Sequence, residues 1–76
     1  MTRELIEYVA RSLVDQPDAL VLTETEEEGL SIYHLQVSPR DIGKVIGRRG
    51  RVARAMRTLL KVSSIHNQKR EVLEIE

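Results

Sequence analysis

Seventy-six residues carry a formal net charge of zero, with 41% hydrophobic and 32% charged side chains and no cysteine. That balance describes a folded chain rather than a disordered one, at a size where one core supplies only about 3–5 kcal/mol, and it excludes disulfides and thiolate chemistry. No apolar run approaches the roughly 20 residues of a membrane span, and Met1-Thr2-Arg3-Glu4 lacks the apolar core of a signal peptide, so a cytoplasmic protein with one domain over residues 1–76 and no membrane contact is expected.

Leu5, Ile6, Val9, Ala10, Leu13 and Val14 recur at helical spacing, which predicts an amphipathic helix from about Thr2 to Val14, ended by Asp15-Gln16-Pro17-Asp18. A strand rich in branched residues is expected over Ala19 to Thr25. Glu26-Glu27-Glu28-Gly29 then reads as a polar turn, a solvated hairpin tip rather than a metal site, because consecutive carboxylates on a turn do not converge on an ion. Leu30 to Val37 is the second strand, with Tyr33, Leu35 and Val37 on one face and Ile32, His34 and Gln36 on the other. Ser38-Pro39-Arg40-Asp41 spells a helix start: Ser38 as cap, Pro39 at the first helical position, Asp41 closing a capping box. Ile42, Val45 and Ile46 share one face of the short helix that follows, and Gly47 stops it. A longer helix is expected from about Arg51 to Val62, with Val52, Ala53, Met56, Leu59 and Leu60 inward and Arg51, Arg54, Arg57, Thr58 and Lys61 exposed. Ser63 to Arg70 reads as a polar loop and Glu71 to Glu76 as a last strand. The order is α-β-β-α-α-β, an α+β fold with a three-stranded sheet packed against three helices.

Charge is distributed unevenly along this order. From Met1 to Ser38 two basic residues stand against eight acidic ones, whereas from Pro39 to Lys61 eight basic residues stand against Asp41 alone. A local excess of +7 on one segment points to an anionic partner. At its centre lies Val45-Ile46-Gly47-Arg48-Arg49-Gly50-Arg51. Two glycines three apart let a ligand backbone come close, a helix starting after Gly50 would aim amide N–H groups at a phosphate, and Arg48 and Arg49 supply charge.

Other chemistries fit poorly. His34 and His66 are far apart in sequence, no nucleophile–base pair stands out, and two histidines without cysteine make a poor zinc site. An enzyme, a metal or another cofactor is therefore not expected. The glycine spacing matches neither the Walker nor the dinucleotide-binding pattern. With no Phe or Trp and only Tyr8 and Tyr33, the chain has no aromatic platform for stacking bases. A nucleic-acid site here must use backbone, arginines and an aliphatic groove.

Ile42-Gly43-Lys44-Val45-Ile46-Gly47-Arg48-Arg49-Gly50, with Met56 on the next helix and the element order given above, resembles the signature of KH domains of the type II, bacterial arrangement. The resemblance covers nearly the whole chain and implies single-stranded RNA binding, with about four nucleotides held at the Gly-x-x-Gly loop. By position it implies that Gly47 and Gly50 allow close approach of RNA, that Arg48 and Arg49 contact phosphates, and that Lys44, Arg51 and Arg54 support them. Ile42, Val45 and Ile46 would belong to the aliphatic floor, divided between core and groove, with residues 35–37 as the far wall. Ala53 departs from the family, which carries a bulky aliphatic residue there. The resemblance also implies an RNA chaperone or post-transcriptional regulator linked to cell-envelope and cell-size control, acting as a homodimer or with a larger protein that joins a KH to an R3H domain. The first helix and the polar loop after Val62 are equal candidates for the interface. A protein-interaction or ribosome-associated adaptor with a KH fold and little RNA affinity is the alternative; a helix–hairpin–helix DNA binder is disfavoured by the flanking strands.

Overall fold

The computed structural model describes Thr2 to Glu76. Helix α1, Thr2–Leu13, buries Ile6 and Ala10 and leaves its charged side to solvent. The following Pro17–Ala19 forms a 3₁₀ turn, so strand β1 begins later than the branched residues suggest, at Val21, and runs to Glu27. Two of the turn glutamates expected at 26–28 are therefore paired strand residues. The hairpin closes on Glu28 and Gly29 alone, both at positive φ (46° and 80°), the two-residue turn whose twist suits a β-hairpin. Strand β2, Leu30–Gln36, pairs antiparallel with β1, Glu27 facing Leu30. Strand β3, Arg70–Ile75, adds to β2 in parallel, giving the order β1-β2-β3.

Alternation along β2 sends Ser31, Tyr33 and Leu35 to the buried side and His34 to the open face, where its Nδ1 lies 3.4 Å from Glu74. Helices cover the inner face. Helix α2, Ile42–Ile46, is a single short piece, and helix α3 runs Arg51–Asn67. Ile6, Leu35, Val45, Met56 and Leu60 sit at the centre of one continuous core. Leu59, expected inward, is 41% exposed; on this helix the buried stripe passes through Ala53, Met56 and Leu60, and Leu59 falls outside it.

The stretch Ser63 to Arg70, expected as a loop, is largely the last turns of α3. Its polar side chains tie elements together. Ser63 Oγ lies 2.5 Å from Thr2 Oγ1, joining α3 to α1, and Ser64 Oγ accepts from the Glu71 amide at 2.9 Å, joining α3 to β3. Gln68 ends the helix in the left-handed region, φ 57°.

The helix start at Ser38 also differs in one part. Ser38 Oγ accepts from the Arg40 amide and Pro39 opens the turn as expected. Asp41 closes no capping box; it is 1% exposed and its two carboxylate oxygens accept the amides of Asp15 and Gln16, at 3.2 and 3.0 Å. It pins the segment after α1 to the entrance of α2. Beneath the hairpin half, Glu71 is buried and accepts from the Tyr33 hydroxyl at 3.3 Å. Burial, reinforced by the charges of Glu24 and Glu71, pushes the Tyr33 phenol up to about 12.

Candidate nucleic-acid interface

Local backbone chemistry shapes the loop between α2 and α3. Gly47 takes φ 81°, ψ 169°, outside the space of L side chains. Its role is also steric: a Cβ there would stand 2.5 Å from Val52 Cγ2 and 2.8 Å from the Val52 amide nitrogen. Absence of a side chain at 47 is thus what lets α3 fold back against the end of α2. Arg49 and Gly50 follow in the left-handed region, at φ 58° and φ 71°. A Cβ on Gly50 would meet nothing within 4 Å; space beside it is open.

The amides of Gly50 and Arg51 are used inside the turn, donating to the carbonyls of Gly47 and Arg48. That corrects the simple helix-terminus cradle, because these two N–H groups are not offered to a phosphate. Charge comes from side chains instead. Arg48 and Arg49 sit in the loop, and the Arg54 guanidinium reaches back to the Arg49 carbonyl at 3.4 Å, bracing it.

Beside the loop runs an open groove of about 370 Å³, lined by Ile46, Gly50, Ala53, Arg54, Arg57 and Ile75. This placement sorts the expected residues. Ile46 is 37% exposed and reaches the groove, whereas Val45 has no exposure and supports it from below. Ile42 is half-buried and packs against the core. Val45, sealed in the core, is closed to direct contact with a ligand. Residues 35–37 do not form the far wall. Leu35 and Val37 are buried by the helices, and the wall is Ile75 at the end of β3. Ala53 is buried and lines the groove, its small side chain leaving room where a larger one would fill it.

Lys44 also changes role. Its ammonium is paired with Asp15 and lies 3.7 Å from Asp41. The hydrogen bond and charge of Asp15, helped by Asp41, raise its pKa against a smaller opposing effect of burial. For Asp41 burial acts upward, but the two amides it accepts and the Lys44 charge outweigh it and hold the carboxyl below the usual range. Lys44 is thus a neutralised strut at the root of α2, not a free cation. By contrast, Arg48, Arg49, Arg51, Arg54 and Arg57 make no ion pair among the described residues. Sequence reasoning left out two lining residues, Arg57 and Ile75. The first was legible as the next exposed cation after Arg54 along the helix; the second depends on the parallel β2–β3 pairing, which no local pattern reveals.

A helix pair joined by Gly-x-x-Gly, packed on a sheet in the order α-β-β-α-α-β with an open groove between α3 and β3, is the architecture of a type II KH domain. The chain belongs to the KhpA/KhpB family of KH domains, whose profile matches residues 3–75. It is 52% identical over 75 residues to the RNA-binding protein KhpA of Treponema pallidum (strain Nichols), covering 99% of this chain and 94% of that protein. The RNA-binding protein KhpA of Oceanobacillus iheyensis is 48% identical over 73 residues, 96% of this chain and 97% of its own length. That of Borreliella burgdorferi is 50% identical over 72 residues, 95% of this chain and 88% of its own. These relatives are named for binding, not for catalysis. No helix among the described residues is long and apolar enough to cross a membrane.

Proposed function

We propose that this protein binds single-stranded RNA at the Gly47–Gly50 loop and the groove beside it, in the cytoplasm, as an RNA chaperone or post-transcriptional regulator. The observation that carries this reading is the combination in one place of unpaired arginines and an aliphatic groove. Arg48, Arg49 and Arg51 meet phosphates, Arg54 both braces the loop and adds charge, and Gly50 leaves the ligand backbone free to approach. Bases rest on Ile46, Ala53 and Ile75, where shape and apolar contact act in place of aromatic stacking. The names of the relatives support RNA as the nucleic acid.

One groove holding about four nucleotides binds weakly, and pairing two such modules raises affinity through effective concentration. Exposed apolar side chains on the flank away from the groove, Leu59 and Val62 on α3 with Leu5 and Tyr8 on α1, suit such pairing with a second copy or with a KhpB-like protein carrying KH and R3H domains. A link to cell-envelope and cell-size control belongs to the same reading.

The test is a titration of labelled single-stranded RNA, single-stranded DNA and duplex DNA with wild type and with Arg48→Asp/Arg49→Asp. RNA binding should weaken as salt rises, with a slope of roughly −0.7 per phosphate contact, and should vanish in the variant. Unchanged binding in the variant removes the loop from the site. No RNA binding by wild type favours the KH-fold adaptor.

A further inference from the structure

We propose that the RNA does not stop at the loop but continues along the seam between α3 and β3 into a second pocket at the far end of that seam. This deepens the proposed function: it rests on RNA occupying the first groove and assigns its onward path. The second pocket, of about 410 Å³, is lined by Lys61, Ser64, Ile65, Arg70, Glu71 and Val72.

Continuity is the first argument. Both pockets lie between the same two elements, the first against the start of α3 and the end of β3, the second against the end of α3 and the start of β3. On a helix, Arg54, Arg57, Lys61 and Ile65 follow at spacings that keep them on one stripe. Arg54 and Arg57 line the first pocket; Lys61 and Ile65 line the second. With a rise of about 1.5 Å per residue, the stripe extends roughly 16 Å beyond Arg54, room for a few nucleotides past the loop.

Charge is the second argument. Lys61 and Arg70 are exposed, and neither makes an ion pair among the described residues. Three other cations are neutralised: Arg11 pairs with Glu7, Lys44 with Asp15, and Lys69, next to Arg70, with Glu26 at 3.3 Å. The unpaired cations of the loop therefore continue on both sides of the second pocket.

The lining then sets which part of a nucleotide goes where. Ile65 is 80% exposed and Val72 half-buried, an apolar surface for a ribose or base. Glu71 lines the pocket as a buried residue, and its Oε2 has no hydrogen-bond partner. That carboxylate is buried, with Oε1 accepting from Tyr33, so the open lining is Ile65 and Val72, and the strand lies with phosphates at the rim, on Lys61 and Arg70, and its base or sugar inward. Leu59 lies on the other side of α3 from Lys61, two residues away along the helix, so pairing through Leu59 and α1 leaves this track open.

The experiment compares single-stranded RNAs of four and eight nucleotides by fluorescence anisotropy, with backbone amide shifts recorded by NMR. For wild type the longer RNA should bind roughly tenfold or more tightly through the added phosphate contacts, with a correspondingly steeper salt dependence. It should shift Lys61, Ser64, Ile65 and Val72 in addition to residues of the first groove, which alone respond to the shorter RNA. In Lys61→Ala/Arg70→Ala the ratio of the two affinities should fall towards the statistical value, and the salt slope for the longer RNA by about 1.4. A preserved ratio in this variant, or shifts from the longer RNA confined to the first groove, overturns the extension and leaves the first site intact. Neither RNA binding wild type overturns both. Shifts at Ile65 and Val72 on raising protein concentration without RNA assign the pocket to a second copy and overturn the proposal. Both replaced side chains are exposed, and an unaltered spectrum elsewhere reports that the fold survives.

Discussion

Two turns at opposite ends of β3 share nearly one backbone conformation. At the hairpin tip, Glu28 and Gly29 have φ of 46° and 80°; in the loop between α2 and α3, Arg49 and Gly50 have φ of 58° and 71°. Each puts a charged non-glycine residue in the left-handed region and a glycine after it. Their surroundings are opposite. The tip joins two strands and carries acidic side chains; the loop joins two helices, carries arginines and opens on a groove. Backbone shape makes a turn in either place. A site needs the helix packing that creates the groove and the uncompensated charge beside it.

Replacing glycines should break this likeness first, and with the largest effect. Gly47→Ala drives a Cβ into Val52 and strains the backbone. Together these cost about 2–5 kcal/mol, comparable to the whole stability of so small a core. The variant should be unfolded or melt far below wild type by circular dichroism. Gly29→Ala, whose Cβ meets nothing within 4 Å, should cost only about 1–2 kcal/mol, the left-handed penalty alone. Equal losses in the two variants would show that packing against Val52 is not what fixes the loop.

Ionisable groups separate the two ends next. Tyr33, near Glu24 and Glu71, is raised from 10.0 to about 12. A raised folded-state pKa means stability that is fully present below pH 10 and lost as pH climbs towards 12. The loss amounts to about 2–3 kcal/mol. Tyr33→Phe should flatten urea-derived stability against pH in that window, whatever its cost at neutral pH. Asp41 at the loop end has the opposite sign: its lowered pKa gives stability present above the unfolded-state value of 3.8 and lost as pH falls through the folded one. Asp41→Asn should flatten the acid limb only. Exchange of the two limbs between the variants would sink the assignment.

Much of this contrast is written locally. Helical and alternating periods place every element, and Gly-Arg-Arg-Gly after Val-Ile marks the loop, because spacing and turn chemistry are short-range. What local pattern misses are the jobs of polar residues in contact across the chain. Asp41 looks like a capping residue and instead holds amides 25 and 26 positions away. Ser63 and Ser64 look like loop and instead fasten helix to helix and helix to strand. Lys44 looks like one more cation of the site until Asp15 neutralises it. Ile75 enters the groove only through a parallel pairing that sequence order conceals.

Gly50→Ala sharpens the comparison further, since it separates folding from binding at the loop. Its added Cβ finds open space, so stability should fall by only about 1–2 kcal/mol. The same methyl stands at the groove wall where an RNA backbone approaches, and RNA affinity should fall well beyond what the small loss of fold explains. Comparable RNA affinity in this variant and in wild type would move the strand away from Gly50.

The smallest effect is expected from moving charge without its setting. Glu27→Arg/Glu28→Arg gives the hairpin tip the two adjacent arginines of the loop on a backbone already of the same shape. Glu28 and its neighbour are exposed, so the fold should tolerate the change to within about 0.5 kcal/mol. The reversal shifts net charge by +4, and long-range attraction should raise RNA affinity only slightly at low salt. That gain should vanish near physiological ionic strength, where screening shortens electrostatic reach to about 8 Å. NMR shifts on adding a four-nucleotide RNA, long enough for the first groove alone, should stay at the Gly47–Gly50 end. If RNA instead shifts the amides around Gly29 and persists there at higher salt, then an arginine pair on a left-handed turn is sufficient, and the groove formed by Ile46, Ala53 and Ile75 is dispensable for binding.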